Sequence, residues 1–121
     1  MTRTVLTVDD SKSIRDMVAF TLEAAGYRVI GAENGAEGLK QLQGAAIDLI
    51  ITDLNMPVMN GFDFIRAARR TPRGAGVPIL MLTTESDPSK KSEGKDAGAT
   101  GWINKPFDAE KLVAVAKKLV G

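Results

Sequence analysis

The sequence predicts an α/β fold of five parallel strands alternating with five helices in three layers. Five short apolar runs cross the chain, three of them nearly continuous rather than alternating. A continuous apolar run marks a strand covered on both faces, as in a parallel sheet. The segments between the runs carry apolar residues at three- and four-residue spacing, so each strand is followed by a helix that returns the chain to the sheet.

Thr4–Val8 is the first strand. Ile14, Met17, Val18, Leu22 and Ala25 then form a helical stripe that Gly26 stops. Residues 27–30 are a weaker second strand. Asn34 with Glu37 resembles a capping pair that opens a helix through Leu39 and Leu42. Residues 47–52 are the third strand. Asn60 and Gly61 open the third helix, with Phe62, Ile65 and Ala68 inward and Arg66, Arg69, Arg70 and Pro72 closing it. Residues 77–82 are the fourth strand. Asp87 and Pro88 read as N-cap and first residue of a fourth helix over 89–97, polar on nearly every side. Residues 101–103 are the fifth strand, and Asp108 caps a last helix whose inner face is Leu112, Val115, Ala116 and Leu119. The flavodoxin-like strand order 2-1-3-4-5 is the common arrangement for such a chain.

At 121 residues, 44% of them hydrophobic and 26% charged, the chain has the size and composition of one globular domain. No window approaches the ~20 apolar residues of a membrane span. The N-terminus runs into the first strand without the layout of a signal peptide, so a cytoplasmic location is expected. With no cysteine and no histidine, disulfides, thiolate nucleophiles, Ser-His-Asp triads, imidazole metal sites and phosphohistidine carriers are all excluded. A net charge of +1 gives no ground for nucleic acid or a membrane surface as partner. The cations Arg66, Arg69, Arg70 and Arg73 are better explained as helix-terminal charges. Any chemistry must therefore run on carboxylates, hydroxyls and lysine.

The predicted strand order gathers such groups. Asp9 and Asp10 follow strand 1, Asp53 follows strand 3, Thr83 and Thr84 follow strand 4, and Lys105 follows strand 5. All lie at carboxyl ends, where open α/β sheets bind ligands, and strands 1 and 3 flank the point where strand order reverses. Neighbouring strands are ~4.8 Å apart, so Asp10 and Asp53 become neighbours and Lys105 can reach back to them. Three clustered carboxylates do not all stay ionised without a cation. An all-oxygen set selects a hard ion such as Mg²⁺. Three aspartates, one divalent cation and Lys105 balance to zero formal charge. Asp53 can then act as a carboxylate nucleophile towards phosphorus. The product carries about −2 where the carboxylate carried −1, and the Thr83 hydroxyl is the natural new donor.

Taken singly, each of these groups has an ordinary structural reading: a helix cap, a strand-end acid, a strand threonine, a solvated lysine. Their joint position at one sheet end overturns it. Asp9-Asp10, the run Asp53-Leu54-Asn55-Met56-Pro57 with Asn60-Gly61 after it, Thr83, and Lys105-Pro106-Phe107 together resemble the receiver domain of two-component response regulators. The resemblance runs from the first strand to the last helix. It implies a single receiver domain over residues 1–121 with no output domain, of the CheY chemotaxis type, expected to be monomeric. It also implies that Asp53 takes a phosphoryl group from a CheA-type sensor histidine kinase acting in trans. Mg²⁺ would be held by Asp9, Asp10, Asp53 and the backbone carbonyl of Asn55, the phosphoryl oxygens would be bound by Thr83 and Lys105, and the Lys105–Pro106 bond would be cis. The implied targets are a flagellar motor switch protein and a phosphatase. Trp102 stands where the family usually has Tyr or Phe, a ring that moves with the strand 4 hydroxyl. Asn55 and Glu85 match positions that influence phosphoryl lifetime.

Three other functions are compatible with the same groups. A phosphohydrolase with an aspartyl-phosphate intermediate would place a second Asp two residues after the nucleophile, where Asn55 stands. A nucleotide or flavin binder lacks its glycine-rich loop here, since residues 9–13 are acidic and glycine-free. A phosphorelay intermediate or phosphate sink would keep the chemistry and change only the role.

Overall fold

The apolar runs and helical stripes become alternating elements in the computed structural model, which describes residues 2–84 and 88–121. Among those residues, β1 (Thr4–Val8), β2 (Arg28–Ala32), β3 (Leu49–Thr52), β4 (Ile79–Thr83) and β5 (Gly101–Asn104) form one parallel sheet in the predicted order, β2-β1-β3-β4-β5. The connecting helices are α1 (Lys12–Ala24), α2 (Gly35–Gly44), α3 (Gly61–Arg69), α4 (Pro88–Ala97) and α5 (Ala109–Val120).

The three central strands are buried along almost their whole length, which is why they read as continuous apolar runs. Alternate residues serve opposite layers. Leu6, Val8, Ile50, Ile79 and Met81 face Leu42, Phe64, Ile65 and Ala97 on one side. Val5, Leu49, Ile51, Leu80 and Leu82 face Val18, Leu22, Leu112 and Ala116 on the other. The edge strands β2 and β5 are only partly covered, and their runs are correspondingly weak. Strand limits move by one or two residues from the predicted ones. Tyr27 lies before β2, and Ile47 with Asp48 before β3, where the Asp48 carboxylate accepts from the Thr4 N–H at 2.8 Å.

The caps follow local chemistry. Ser11, Asn34, Asn60 and Asp108 each accept a backbone N–H in the first turn of their helix. Gly26, at φ +99°, follows α1 as expected. The predicted N-cap Asp87 lies outside the described residues, and Pro88 is the first residue of α4. Met17 departs from its predicted place in the α1 stripe. It is half exposed and Phe20 more so, while Val18 and Leu22 alone are fully buried. Met17 sits one residue, about 100° of helix, before Val18, which turns it from the sheet towards the α1–α5 flank. Among the described residues no helix is long and apolar enough to cross a membrane.

Helix α4 buries only Gly94 and Ala97. A Cβ at Gly94 would stand 2.2 Å from the Met81 sulfur, so this helix lies against β4 through a missing side chain rather than an apolar stripe. Its far end is tied by Arg69. The Arg69 Nε and Nη2 atoms donate to the Gly98 carbonyl at 3.0 and 2.8 Å, and Nη1 donates to the carbonyls of Gly74 and Val77. One guanidinium thus joins the α3–β4 and α4–β5 loops. Arg69→Ala is expected to destabilise the fold by about 2 kcal/mol, the range for lost charged hydrogen bonds. Arg69→Lys should restore little of it, because an ammonium lacks the planar fork. Urea unfolding of the three proteins checks this.

Candidate functional site

Register brings the acidic residues together. Val8 of β1 pairs with Thr52 of β3, so Asp9 and Asp53 leave the sheet side by side. The Asp53 N–H donates to the Val8 carbonyl at 2.9 Å. Both carboxylates are buried, Asp9 at 2% and Asp53 at 7% exposure, while Asp10 is exposed. Carboxylate oxygens of Asp9, Asp10 and Asp53 lie within 4.8 Å of one another. Across the sheet, Thr83 pairs with Asn104, and the Lys105 N–H donates to the Thr83 carbonyl at 2.8 Å. Lys105 then reaches back over two strands. Its Nζ lies 3.0 Å from Asp9 Oδ2 and 3.3 Å from Asp53 Oδ1. The Lys105–Pro106 peptide is cis, as the resemblance implied.

Each buried carboxylate is also held by backbone. Asp53 Oδ1 accepts from the Leu54 N–H at 2.8 Å, and Asp9 Oδ1 from the Ser11 N–H at 2.9 Å. Burial and then the neighbouring Asp9 charge raise the Asp53 pKa, and Lys105 with the Leu54 N–H only partly offsets this. Burial alone would lower the Lys105 pKa, but its hydrogen bond to Asp9 and the charges of Asp53 and Asp9 outweigh it, and the net shift is upward. The ammonium stays charged, and the three carboxylates remain two positive charges short of balance.

That deficit fits a divalent cation. The donor set is all oxygen, the chain has no histidine or cysteine, and three carboxylates converge. Thr83 ends β4 one strand beyond Asp53 and is buried. Asn55 lies exposed two residues after Asp53. Trp102 sits apart from the acidic cluster on the edge strand, 44% exposed. Glu85 lies outside the described residues.

Sequence reasoning missed three groups. Arg15 donates from Nη1 to the Asp9 carbonyl at 2.6 Å and fixes the acidic loop from α1. Its position one helical turn after the cap Ser11 was the available signal. Lys91 places its ammonium 4.7 Å from the centre of the Trp102 ring, a contact between α4 and β5 that no local pattern announces. Val58, in the loop after Asp53, has φ +73° and is 83% exposed. A β-branched residue is costly in that region, whereas Asn tolerates it. Val58→Asn is expected to stabilise the protein by about 1 kcal/mol, measured as a raised urea midpoint at unchanged slope.

Comparison with known proteins decides the family. Residues 5–117 match the response regulator receiver domain. The chain belongs to that family. This receiver is 36% identical to the Helicobacter pylori chemotaxis protein CheY1 over 119 residues, 97% of this chain and 96% of that protein. It superposes on the Vibrio cholerae chemotaxis protein CheY4 with a TM-score of 0.95 at 51% identity, covering 98% and 99% of the two chains. It is also 38% identical over 116 residues to the Synechocystis DNA-binding dual master transcriptional regulator RpaA, covering 96% of this chain and 48% of that protein. The chain spans about half the length of the curated transcriptional regulators it matches. Receivers accept a phosphoryl group on an aspartate, bind Mg²⁺ at an acidic pocket and interact with histidine kinases and downstream targets. Receiver domains themselves carry out only their own phosphorylation and dephosphorylation.

Proposed function

We propose that Asp53 is the phosphoryl acceptor of a cytoplasmic, monomeric chemotaxis regulator. A buried carboxylate beside a second buried carboxylate, with one ammonium 3.3 Å away, is the observation that carries this reading. An Asp53 oxygen attacks the phosphorus of a phosphohistidine, the phosphorus–nitrogen bond breaks, and the electron pair leaves with the imidazole. The Lys105 ammonium holds phosphoryl oxygens as charge builds on them. The Thr83 hydroxyl, one strand away, donates to the product. Asp9, Asp10, Asp53 and the Asn55 carbonyl would hold Mg²⁺, which when bound supplies positive charge to the phosphoryl oxygens.

The product adds negative charge beside Thr83, and the response of Thr83 and Trp102 changes the surface formed by α4, β5 and α5. The donor in this reading is a CheA-type sensor kinase, and the target is a flagellar motor switch protein, with a phosphatase resetting the site. The likeness to the chemotaxis proteins CheY1 and CheY4 supports this role. Phosphotransfer from a phosphorylated CheA-type kinase, followed by binding to a motor-switch peptide, tests it. Peptide binding that rises on phosphorylation is expected. Onward transfer to a second histidine protein, without peptide binding, would assign a relay role instead.

A further inference from the structure

Trp102 pairs with Met81 on β4 and faces the α4 side of the sheet, where Gly94 lets the helix lie against the Met81 sulfur. Lys91, in the first turns of α4, holds its ammonium 4.7 Å from the indole centre and is itself half-buried. A cavity of about 90 Å³ adjoins the ring, lined by Met81, Lys95, Ala99, Thr100, Gly101 and Trp102. The ring therefore rests at the sheet edge with open space beside it and a cation over its face.

We propose that Lys91 is a positioning residue that pins Trp102 in this half-exposed place and so sets how readily the chain takes up a phosphoryl group. A cation over an indole is attracted by the electron-rich face, and no other aromatic ring binds it better. The attraction exists only while the ring stays under the ammonium. It is lost when the indole moves towards the cavity, so the ring equilibrium is biased outward. Helix α4 buries only Gly94 and Ala97, and the Lys91–Trp102 contact joins its first turns to β5. The proposed function has Trp102 respond to phosphorylation; if that response is the inward ring, reciprocity requires that releasing the ring tighten binding of a phosphoryl mimic at the site by a similar factor. This coupling rests on that reading, whereas the pinning of the ring rests on the contact alone.

The test compares the wild type with Lys91→Met, which keeps the apolar stem and removes the charge, and Lys91→Arg, which keeps the charge. The chain has one tryptophan, so its fluorescence reports the ring directly. Acrylamide, a neutral quencher, measures exposure without responding to the lost charge. Lys91→Met is expected to lower quenching, with a roughly two- to fivefold shift between ring positions, the size of a partly exposed cation–π contact. Lys91→Arg should match the wild type. Unchanged or increased quenching in Lys91→Met would overturn the proposal, since a lysine that merely covered the ring would expose it when removed.

The second reading is the beryllofluoride concentration that half-saturates each protein in the presence of Mg²⁺. It should fall by the same factor in Lys91→Met and not in Lys91→Arg. Altered quenching with equal half-saturation would refute the coupling. Beryllofluoride failing to bind even the wild type would count against Asp53 as acceptor, while the quenching series still decides whether Lys91 pins the ring.

Discussion

Asp53→Asn is expected to lose phosphorylation completely while making the metal-free protein more stable at neutral pH. The amide keeps the shape of the side chain but has no carboxylate to attack phosphorus. Stability changes because burial, and then Asp9, raises the Asp53 pKa. The folded state holds that proton more tightly than the unfolded chain does. The favourable contribution is therefore full below the unfolded pKa and is lost as pH rises through the higher folded pKa. At neutral pH the wild type carries a buried, repelled carboxylate that the variant lacks. Thermal melts without Mg²⁺ should place Asp53→Asn above the wild type near neutrality, with the gap closing as the pH is lowered. Mg²⁺ should raise the wild-type melting temperature more than that of the variant, because binding to the folded state alone adds stability.

Gly61→Ala is expected to be among the most damaging single-methyl changes at the described glycines. A Cβ at this position would lie 2.2 Å from the Asp53 carbonyl oxygen and 2.7 Å from the Leu54 Cα. Both are backbone atoms and neither can rotate away. The Gly61 N–H also donates to the Leu54 carbonyl at 2.8 Å, so helix α3 begins directly against the acceptor segment. Relief requires moving either the start of α3 or Asp53 itself. A cost of about 3 kcal/mol is expected, at the upper end for forced overpacking. The rate of phosphorylation by acetyl phosphate should fall with it, because the Leu54 N–H that orients Asp53 Oδ1 belongs to the displaced segment. Urea unfolding and phosphorylation kinetics on the same protein measure both effects.

The contrast between Gly61 and Asp53 marks how far the sequence is legible. Asp9, Asp53 and Lys105 could be brought together from the linear chain because each directly follows a strand, and strand order alone then makes them neighbours. The strands were readable because burial on both faces leaves continuous apolar runs such as Leu49–Thr52, and their order followed from the common arrangement of five alternating strands and helices. Gly61 was readable only as the residue after the cap Asn60. Its close approach to Asp53 depends on how α3 is seated against the sheet, which has no local signature. Met17 was misplaced for a related reason. Three- and four-residue spacing defines a stripe about a helix but not where its edge falls, and the α1 stripe ends at Val18. The Lys91–Trp102 contact and the Arg69 staple join residues on different elements through long, flexible side chains, and no periodicity encodes them.

The acceptor assignment is tested most directly by trapping the product. Borohydride reduces an aspartyl phosphate to the corresponding alcohol and leaves free carboxylates unchanged. The protein would be treated with acetyl phosphate and Mg²⁺, reduced, digested and sequenced by mass spectrometry. Reduction at Asp53 alone, absent when Mg²⁺ is withheld, is the expected result. Reduction at Asp9 or Asp10, or a protein that stays unmodified with Mg²⁺ and donor both present, would contradict the account.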